Sequence, residues 1–258
     1  MIQLIAISHE QHEKLRWKRF TSYEFAAEDA VAPLVVQEVR RACLSLPVAF
    51  IKVEDSFRLV LVQGLQPGKN LLVGPDGRWL ASYIPAAYRG YPFVLGNAED
   101  GRRVLCIRED AGAISETEGE PFFDEEGEPA KSVQDVLKFL EQVSVNAKVT
   151  AELCALLAQH NLIQPWNVHV KSGRGDQKVE GLYRVDEAAL NALPPESLAA
   201  IRDGGAMPLA YCQLLSMQHL QQLGRLAAHR EAADALLQPE TGDLDLEFLS
   251  DDENIRFS

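Results

Sequence analysis

Short runs of β-branched and other apolar residues, separated by turn residues, occupy the first 108 positions of the chain. Such runs predict strands, and the Glu54-Asp55-Ser56 and Gly74-Pro75-Asp76-Gly77 segments between them predict hairpins. An antiparallel sheet of five or more strands is therefore expected here. The predicted strands are residues 2–7, 48–53, 57–62, 71–73, 78–83, 91–95 and 103–107.

A helical period of apolar residues replaces this pattern in two places. Residues 34–46 end before Pro47 and predict a helix, and residues 132–160 predict one long helix or two helices broken near 144–146. Further predictions are a hairpin of residues 166–170 with 178–185, a short helix capped by Asp186, a strand at 209–215 and a final helix capped by Ser216. The predicted fold class is α+β, a mainly antiparallel sheet built from hairpins and packed by one long helix and a C-terminal helix.

Charge divides the chain into a nearly neutral body and two acidic segments. The net charge of the chain is −13. Residues 109–128 contain nine acidic residues and no basic residue, and residues 239–258 contain seven acidic residues and one basic residue. We expect residues 1–238 to form a single domain with an acidic loop at 109–131 that is either functional or mobile. Phe122 and Phe123 should dock this loop on the body. The tail, 239–258, is expected to be disordered.

Composition excludes several classes of function. The acidic balance disfavours nucleic acid, which needs clusters of lysine and arginine. The chain has no run of 18 apolar residues and no basic leader at its N-terminus, so neither membrane insertion nor a signal peptide is predicted. Four widely spaced cysteines, each flanked by apolar residues, predict buried reduced thiols and a cytoplasmic protein. They are Cys43, Cys106, Cys154 and Cys212.

Two segments resemble a zinc motif and a phosphate-binding loop, but neither has the required spacing. His9 and His12 lie three residues apart in His-Glu-Gln-His-Glu, which does not match the His-Glu-x-x-His zinc motif, so a solvated helical turn is favoured over a metal pair. The segment from Gly64 to Asn70 is one residue shorter than a phosphate-binding loop, and Asn70 stands where such a loop has serine or threonine. We therefore predict no metal and no cofactor.

The candidate site is an aromatic segment, residues 77–95, with Arg89 at its centre. A buried guanidinium needs carboxylate or carbonyl partners, and Glu38 on the predicted helix 34–46 is a candidate. The pair is either a structural link between helix and sheet or part of an anion clamp, and the rings either pack in the core or stack on a ligand. No catalytic residue is predicted. The candidate ligand-binding residues are Glu38, Asn70, Trp79, Tyr83, Arg89 and Tyr91.

Six segments between residues 2 and 228 resemble the SapC family, bacterial proteins named for a locus connected with surface-layer protein. The central pattern is W-x3-YIPA-x2-R-x2-PF, which contains Arg89. The family has no established activity to transfer, and the resemblance implies genomic association with flavin-dependent tryptophan-halogenase-like proteins, cupin-like oxygenases and outer-membrane receptors. The segments are His9 with LRW, Glu38 before LPVAF, LVQGLQPGKNLLV, GRWLASYIPAAYRGYPF, PFFDEEGEP and LLSMQHLQQL.

The first functional hypothesis is a cytoplasmic accessory or binding protein that holds a small ligand or a protein partner at the aromatic segment. A second is an enzyme that modifies an amino acid or peptide with His9, Glu38 and Arg89 as its polar groups. A third is a structural partner in surface-layer or envelope assembly. An enzyme should gather at least two titratable groups in one pocket with perturbed pKa values, whereas a binding protein needs only an apolar surface and an anchor. The sequence leaves the oligomeric state open.

Overall fold

The computed structural model describes residues 3–98, 101–172 and 175–237. The acidic tail at 239–258, expected to be disordered, lies outside these ranges. The predicted α+β class is confirmed, with antiparallel sheets, one long helix and a C-terminal helix. No helix in the described part of the chain combines the length and the apolar character that crossing a membrane requires.

The secondary structure elements are short except for two helices. The strands are β1 (Leu4–Ala6), β2 (Arg16–Trp17), β3 (Val31–Pro33), β4 (Val48–Val53), β5 (Ser56–Val62), β6 (Phe93–Asn97), β7 (Arg103–Arg108), β8 (Ile114–Ser115), β9 (Glu120–Pro121), β10 (Ile163–Pro165), β11 (Val168–Ser172), β12 (Gly175–Val179) and β13 (Leu182–Val185). The helices are α1 (His9–His12), α2 (Val36–Ala42), α3 (Ala86–Arg89), α4 (Lys131–Gln159), α5 (Glu187–Asn191), α6 (Pro195–Asp203), α7 (Met207–Ser216) and α8 (Leu220–Leu237).

The strands form several antiparallel sheets rather than the single sheet expected within residues 1–108. The five-stranded sheet has the order β10-β13-β4-β5-β3, and so draws two strands from the second half of the chain. A separate three-stranded sheet, β1-β7-β6, holds the remaining long hairpin, and β8-β2-β9 and β11-β12 are smaller. The prediction of one sheet was wrong because hairpin patterns specify the partner next in sequence, whereas β4 also pairs with β13.

The β4–β5 hairpin lies at the centre of the main hydrophobic core. Val48, Ala49 and Phe50 are all fully buried, so both faces of the first half of β4 are covered. Helices α2, α4 and α7 supply the side chains that cover them. The hairpin itself matches the sequence prediction, with Glu54 in the left-handed conformation at the turn.

Helix α4 is continuous and connects two hydrophobic clusters. Its first turns place Val133 in a cluster with Trp17, Phe93 and Phe122, and its last turns place Leu157 in the main core. Of the two alternatives that the sequence left open, the single unbroken helix is correct. Ser132 lies inside the first turn and does not cap the helix, because the N-cap position is Ala130.

The predicted strand at residues 209–215 is wrong, since these residues belong to α7. Leu209, Ala210, Gln213 and Ser216 are buried at helical spacing. In so short and largely apolar a run, a single polar residue such as Gln213 does not reveal the period, so a buried helix and a buried strand look alike in sequence. Ser216 ends α7 rather than capping the final helix, which follows after a 3-10 turn, Met217–His219.

Two predicted hairpins also differ from the structure. Residues 71–83 form a turn with a single bridge between Val73 and Trp79 in place of two paired strands. In the second half of the chain, β11 pairs with β12, while Leu182–Val185 pairs with β10 and β4. The cap predicted at Asp186 is confirmed, because its side chain accepts a hydrogen bond from the Ala189 N–H at 3.0 Å.

Replacing Leu140 with alanine is expected to lower the free energy of unfolding by about 2 kcal/mol. Leu140 is half-buried on α4, and it packs so closely against the α3 turn that a methyl group on Gly90 would lie 2.6 Å from its Cδ2 atom. Val145→Ala is the matched control, because Val145 is 61 % exposed on the same helix, and it should cost less than ~0.5 kcal/mol. Equal losses in chemical denaturation would contradict this packing.

Candidate functional site

Glu38 is a buried carboxylate in the first turn of α2, with a side chain only 6 % exposed. Its Oε2 atom accepts a hydrogen bond from the Val35 N–H at 3.3 Å, which satisfies one of the free amides at the start of the helix. The next amide, Val36 N–H, donates to Thr150 Oγ1 of α4 at 2.8 Å. Both contacts fix the beginning of α2 and thereby the position of the Glu38 carboxylate.

The second oxygen of Glu38 gathers three donors from the aromatic segment. Oε1 accepts from the Tyr83 hydroxyl at 2.6 Å, from the Ala86 N–H at 2.6 Å and from Arg89 Nη2 at 3.2 Å. The predicted ion pair between Glu38 and Arg89 is therefore confirmed. Helix α3 is a single turn, so this carboxylate holds both its first amide and its last side chain.

Arg89 is not buried as the sequence reasoning assumed, because its side chain is 45 % exposed. The residue lies at the end of α3, and its guanidinium carbon is 5.3 Å from the ring centroid of Phe139 on α4. A guanidinium has five N–H donors, and Glu38 receives a bond from one of its nitrogens. Arg89 thus joins a buried carboxylate to the surface.

Tyr83 acts as a fixed donor to Glu38. Burial, together with the hydrogen bond and the negative charge of Glu38, raises the pKa of the Tyr83 hydroxyl well above its ordinary value. The neutral phenol is therefore the form present at physiological pH. Its role here is to hold the carboxylate, since a proton bound this firmly is unsuited to acid–base exchange near neutrality.

Six rings pack beside this cluster and form a surface that we call the aromatic face. Phe25 and Tyr91 stack in parallel at 3.7 Å between centroids, and the other neighbours meet edge-on or tilted at 5.2–6.0 Å. All except Tyr88 are half-buried. The aromatic face consists of Phe20, Tyr23, Phe25, Trp79, Tyr88 and Tyr91.

Half of this face was missed by the sequence reasoning. Phe20, Tyr23 and Phe25 lie outside the aromatic segment, in a region for which no element was predicted. The signal was present, because three aromatic residues within six positions stand out in a chain with 7 % aromatic residues. Trp79 and Tyr91 belong to the face as predicted candidates, and Trp79 Nε1 donates to the Tyr83 carbonyl at 2.8 Å.

Asn70 lies in a second, buried polar network. Its Nδ2 donates to the Ala26 carbonyl at 2.9 Å and to Gln63 Oε1 at 2.6 Å, and its Oδ1 accepts from the Leu72 N–H at 2.8 Å. These bonds hold the loop after β5 in place. The hydroxyl of Tyr88 lies 3.0 Å from Gln63 Oε1, so Tyr88 is the link between Asn70 and the aromatic face.

The histidines and cysteines do not assemble a reactive centre in the described part of the chain. His9 packs on Phe123 and His12 on Phe122, at ring distances of 5.1 and 5.0 Å. Among the described residues no group of three histidine, cysteine or acidic side chains could hold a metal ion. The four cysteines are free, and Cys43, Cys106 and Cys154 are buried, as predicted, while Cys212 is half-buried.

Burial also makes two of the thiols unreactive. It raises the pKa of Cys43 to about 11, with a contribution from neighbouring Cys212, and that of Cys154 to about 12. A thiol must ionise to act as a nucleophile, so these two are poorly suited to that role near neutral pH.

Three cavities in the described structure lie apart from the six candidate residues. One of about 460 Å³ lies between α2 and α7, one of about 550 Å³ between β11 and α8, and one of about 270 Å³ between the β4–β5 hairpin and α4. None of the three is lined by the aromatic face or by Arg89. The candidate residues surround an ion pair between buried Glu38 and half-exposed Arg89.

The fold and this cluster define an α+β protein with an aromatic surface anchored on a buried carboxylate. A model of the SapC family matches residues 7–223, which is most of the chain. The chain belongs to the SapC family. Comparison with curated proteins gave no significant match, and comparison with solved structures gave none either.

Proposed function

We propose that this protein is a cytoplasmic accessory protein that binds a partner carrying a carboxylate or another anionic group at the aromatic face. The observation that carries the proposal is the half-exposed guanidinium of Arg89, held in place by buried Glu38 beside half-buried rings. Arginine, tyrosine, tryptophan and phenylalanine are the residues enriched in protein interfaces, and the first three dominate their binding energy.

The geometry favours a protein or peptide partner over an enclosed small molecule. Small-molecule sites are concave and bury most of their ligand, whereas all rings of the aromatic face except Tyr88 are half-buried at the surface. An open face of rigid rings suits a partner that covers it. The stacked pair Phe25 and Tyr91 is already ordered, so little side-chain freedom would be lost on binding.

The enzyme hypothesis has weaker support from the same residues. It requires His9, Glu38 and Arg89 to act together, yet the ring contact of His9 is with Phe123. Glu38 already accepts four hydrogen bonds, from Val35, Tyr83, Ala86 and Arg89. A carboxylate so fully engaged is suited to positioning its neighbours rather than to exchanging protons with a substrate.

Affinity capture with quantitative mass spectrometry tests the proposal. The tagged protein should retain a defined partner from a lysate of its own organism, and the Arg89→Met and Tyr91→Ser variants should each reduce that retention at least tenfold. Arg202→Met is the matched control, because this arginine is exposed on α6 and paired with Asp203 at 2.8 Å. The control should capture the partner as the unchanged protein does.

Stability must be measured alongside, since a lost fold would also lose the partner. Arg89→Met should change the free energy of unfolding by less than ~1 kcal/mol, because the Arg89 side chain is 45 % exposed. Capture that is insensitive to both Arg89→Met and Tyr91→Ser in folded protein would refute binding at this face. Turnover of an amino acid or peptide that depends on Glu38 would favour the enzyme instead.

A further inference from the structure

A cavity of about 270 Å³ lies between the β4–β5 hairpin and α4, away from the aromatic face. Its lining is apolar apart from Thr150 and Arg58. Thr150 is fully engaged, since its hydroxyl accepts from Val36 N–H at 2.8 Å and donates to the Asn146 carbonyl at 2.6 Å. The lining residues are Pro33, Leu34, Val35, Ile51, Val53, Phe57, Arg58, Leu59, Val60, Ala147, Thr150, Ala151 and Cys154.

Helix α4 creates the cavity because its side chains there are small. Ala147, Thr150, Ala151 and Cys154 follow the i, i+3, i+4, i+7 spacing of one helix face. Ala147 and Ala151 are exposed, so the cavity opens to solvent along this helix face and leaves apolar surface in contact with water. An apolar space of this size beside a 29-residue helix suits an apolar occupant.

Arg58 supplies the charge at the exposed side of the cavity. It lies on β5 opposite Ile51, and both residues line the space. Within the described ranges its guanidinium has no hydrogen bond or ion pair to a carboxylate. Cys154, which also lines the cavity, is buried and, since its pKa is raised, keeps a neutral thiol.

We infer that this cavity binds the hydrocarbon chain of a medium-length carboxylic acid, with the carboxylate meeting Arg58 at the surface. An apolar lining selects the chain, and one cation beside exposed Val53 selects a single anionic head group. At about 30 Å³ for each water-sized group, the space holds roughly nine methylene-sized groups. Octanoate and decanoate therefore fit, whereas acetate gains nothing from the cavity.

Isothermal titration of a series of straight-chain carboxylates, each below its micelle concentration, tests the assignment. The dissociation constant should fall about fourfold for each added methylene up to eight to ten carbons and then level off. Neutral 1-octanol should bind more weakly than octanoate. Arg58→Gln should remove that difference while leaving the affinity for 1-octanol unchanged.

Filling the cavity provides the second arm of the test. Ala151→Leu should weaken octanoate binding at least tenfold, and Ala147→Leu serves the same purpose if the first variant does not fold. Ala155→Leu is the matched control, because Ala155 is exposed on α4 and does not line the cavity. The inference would be overturned if carboxylate affinity did not depend on chain length, or if octanoate did not bind or still bound to both filling variants. Occupation of the cavity by a partner's side chain without carboxylate binding would also overturn it.

Discussion

Replacing Glu38 with alanine is expected to lower the free energy of unfolding by about 3 kcal/mol, because buried donors are left without an acceptor. The Ala86 N–H is buried and has Glu38 Oε1 as its acceptor, and the Tyr83 hydroxyl donates to the same oxygen. Chemical denaturation monitored by circular dichroism measures the loss. Loss of the α3 turn should accompany it, since Glu38 holds both of its ends.

Arg89→Met is the matched comparison for Glu38→Ala. The carboxylate keeps three donors when Arg89 is removed, and the guanidinium is 45 % exposed, so the loss should stay below ~1 kcal/mol. In a cycle with Glu38→Gln, the coupling energy between the two residues should therefore be small as well. An Arg89→Met variant as unstable as Glu38→Ala would contradict this and make the pair a purely structural link.

The Glu38–Arg89 pair could be predicted from sequence because a charged residue in an apolar segment requires a partner of opposite charge. An arginine within an apolar segment needs a carboxylate, and Glu38 was the acid on the neighbouring apolar-patterned helix. The exposure of Arg89 could not be read in this way. It depends on how the α3 turn meets Phe139 on α4, and that contact is set by tertiary packing.

The fold was predictable where turn chemistry fixed the partner strand. The β4–β5 and β6–β7 hairpins were predicted close to their observed bounds, since short polar turns separate their strands. The pairing of β13 with β4 was not predictable, because it joins residues about 130 positions apart. The cavity beside Arg58 likewise depends on which face of α4 meets the sheet, and small residues alone do not reveal it.

The two proposed sites share one structural element, the beginning of α2. Val35 lines the cavity and donates its N–H to Glu38, while Thr150 lines the cavity and accepts from the Val36 N–H. A ligand that displaces Val35 would also move an amide bound to the carboxylate that orients Arg89. Binding at either site is therefore positioned to affect the other through this single turn of helix.

Phe122→Ala is expected to cost about 3–5 kcal/mol, because a fully buried phenylalanine leaves a large cavity when it is truncated. Phe122 has no exposed surface and packs with Trp17, Phe93 and His12, although it lies in the acidic segment 109–131. The sequence prediction that Phe122 and Phe123 dock this segment is confirmed. That the segment is among the most mobile parts of the chain stays a prediction.

Hydrogen exchange combined with Phe122→Ala separates anchoring from mobility. Exposed residues 116–119 should exchange rapidly. Their acidic side chains repel one another, and the residues bury too little apolar area to offset the entropic cost of ordering the backbone, about 1–2 kcal/mol per residue. The Ala130 N–H, which donates to the Phe122 carbonyl at 2.9 Å, should be protected and should lose that protection in the variant. Phe123→Ala is the control, and since Phe123 is half-buried it should cost about 1–2 kcal/mol. Slow exchange throughout 109–128, or equal losses for the two phenylalanines, would contradict a mobile segment in which Phe122 is the main side-chain anchor.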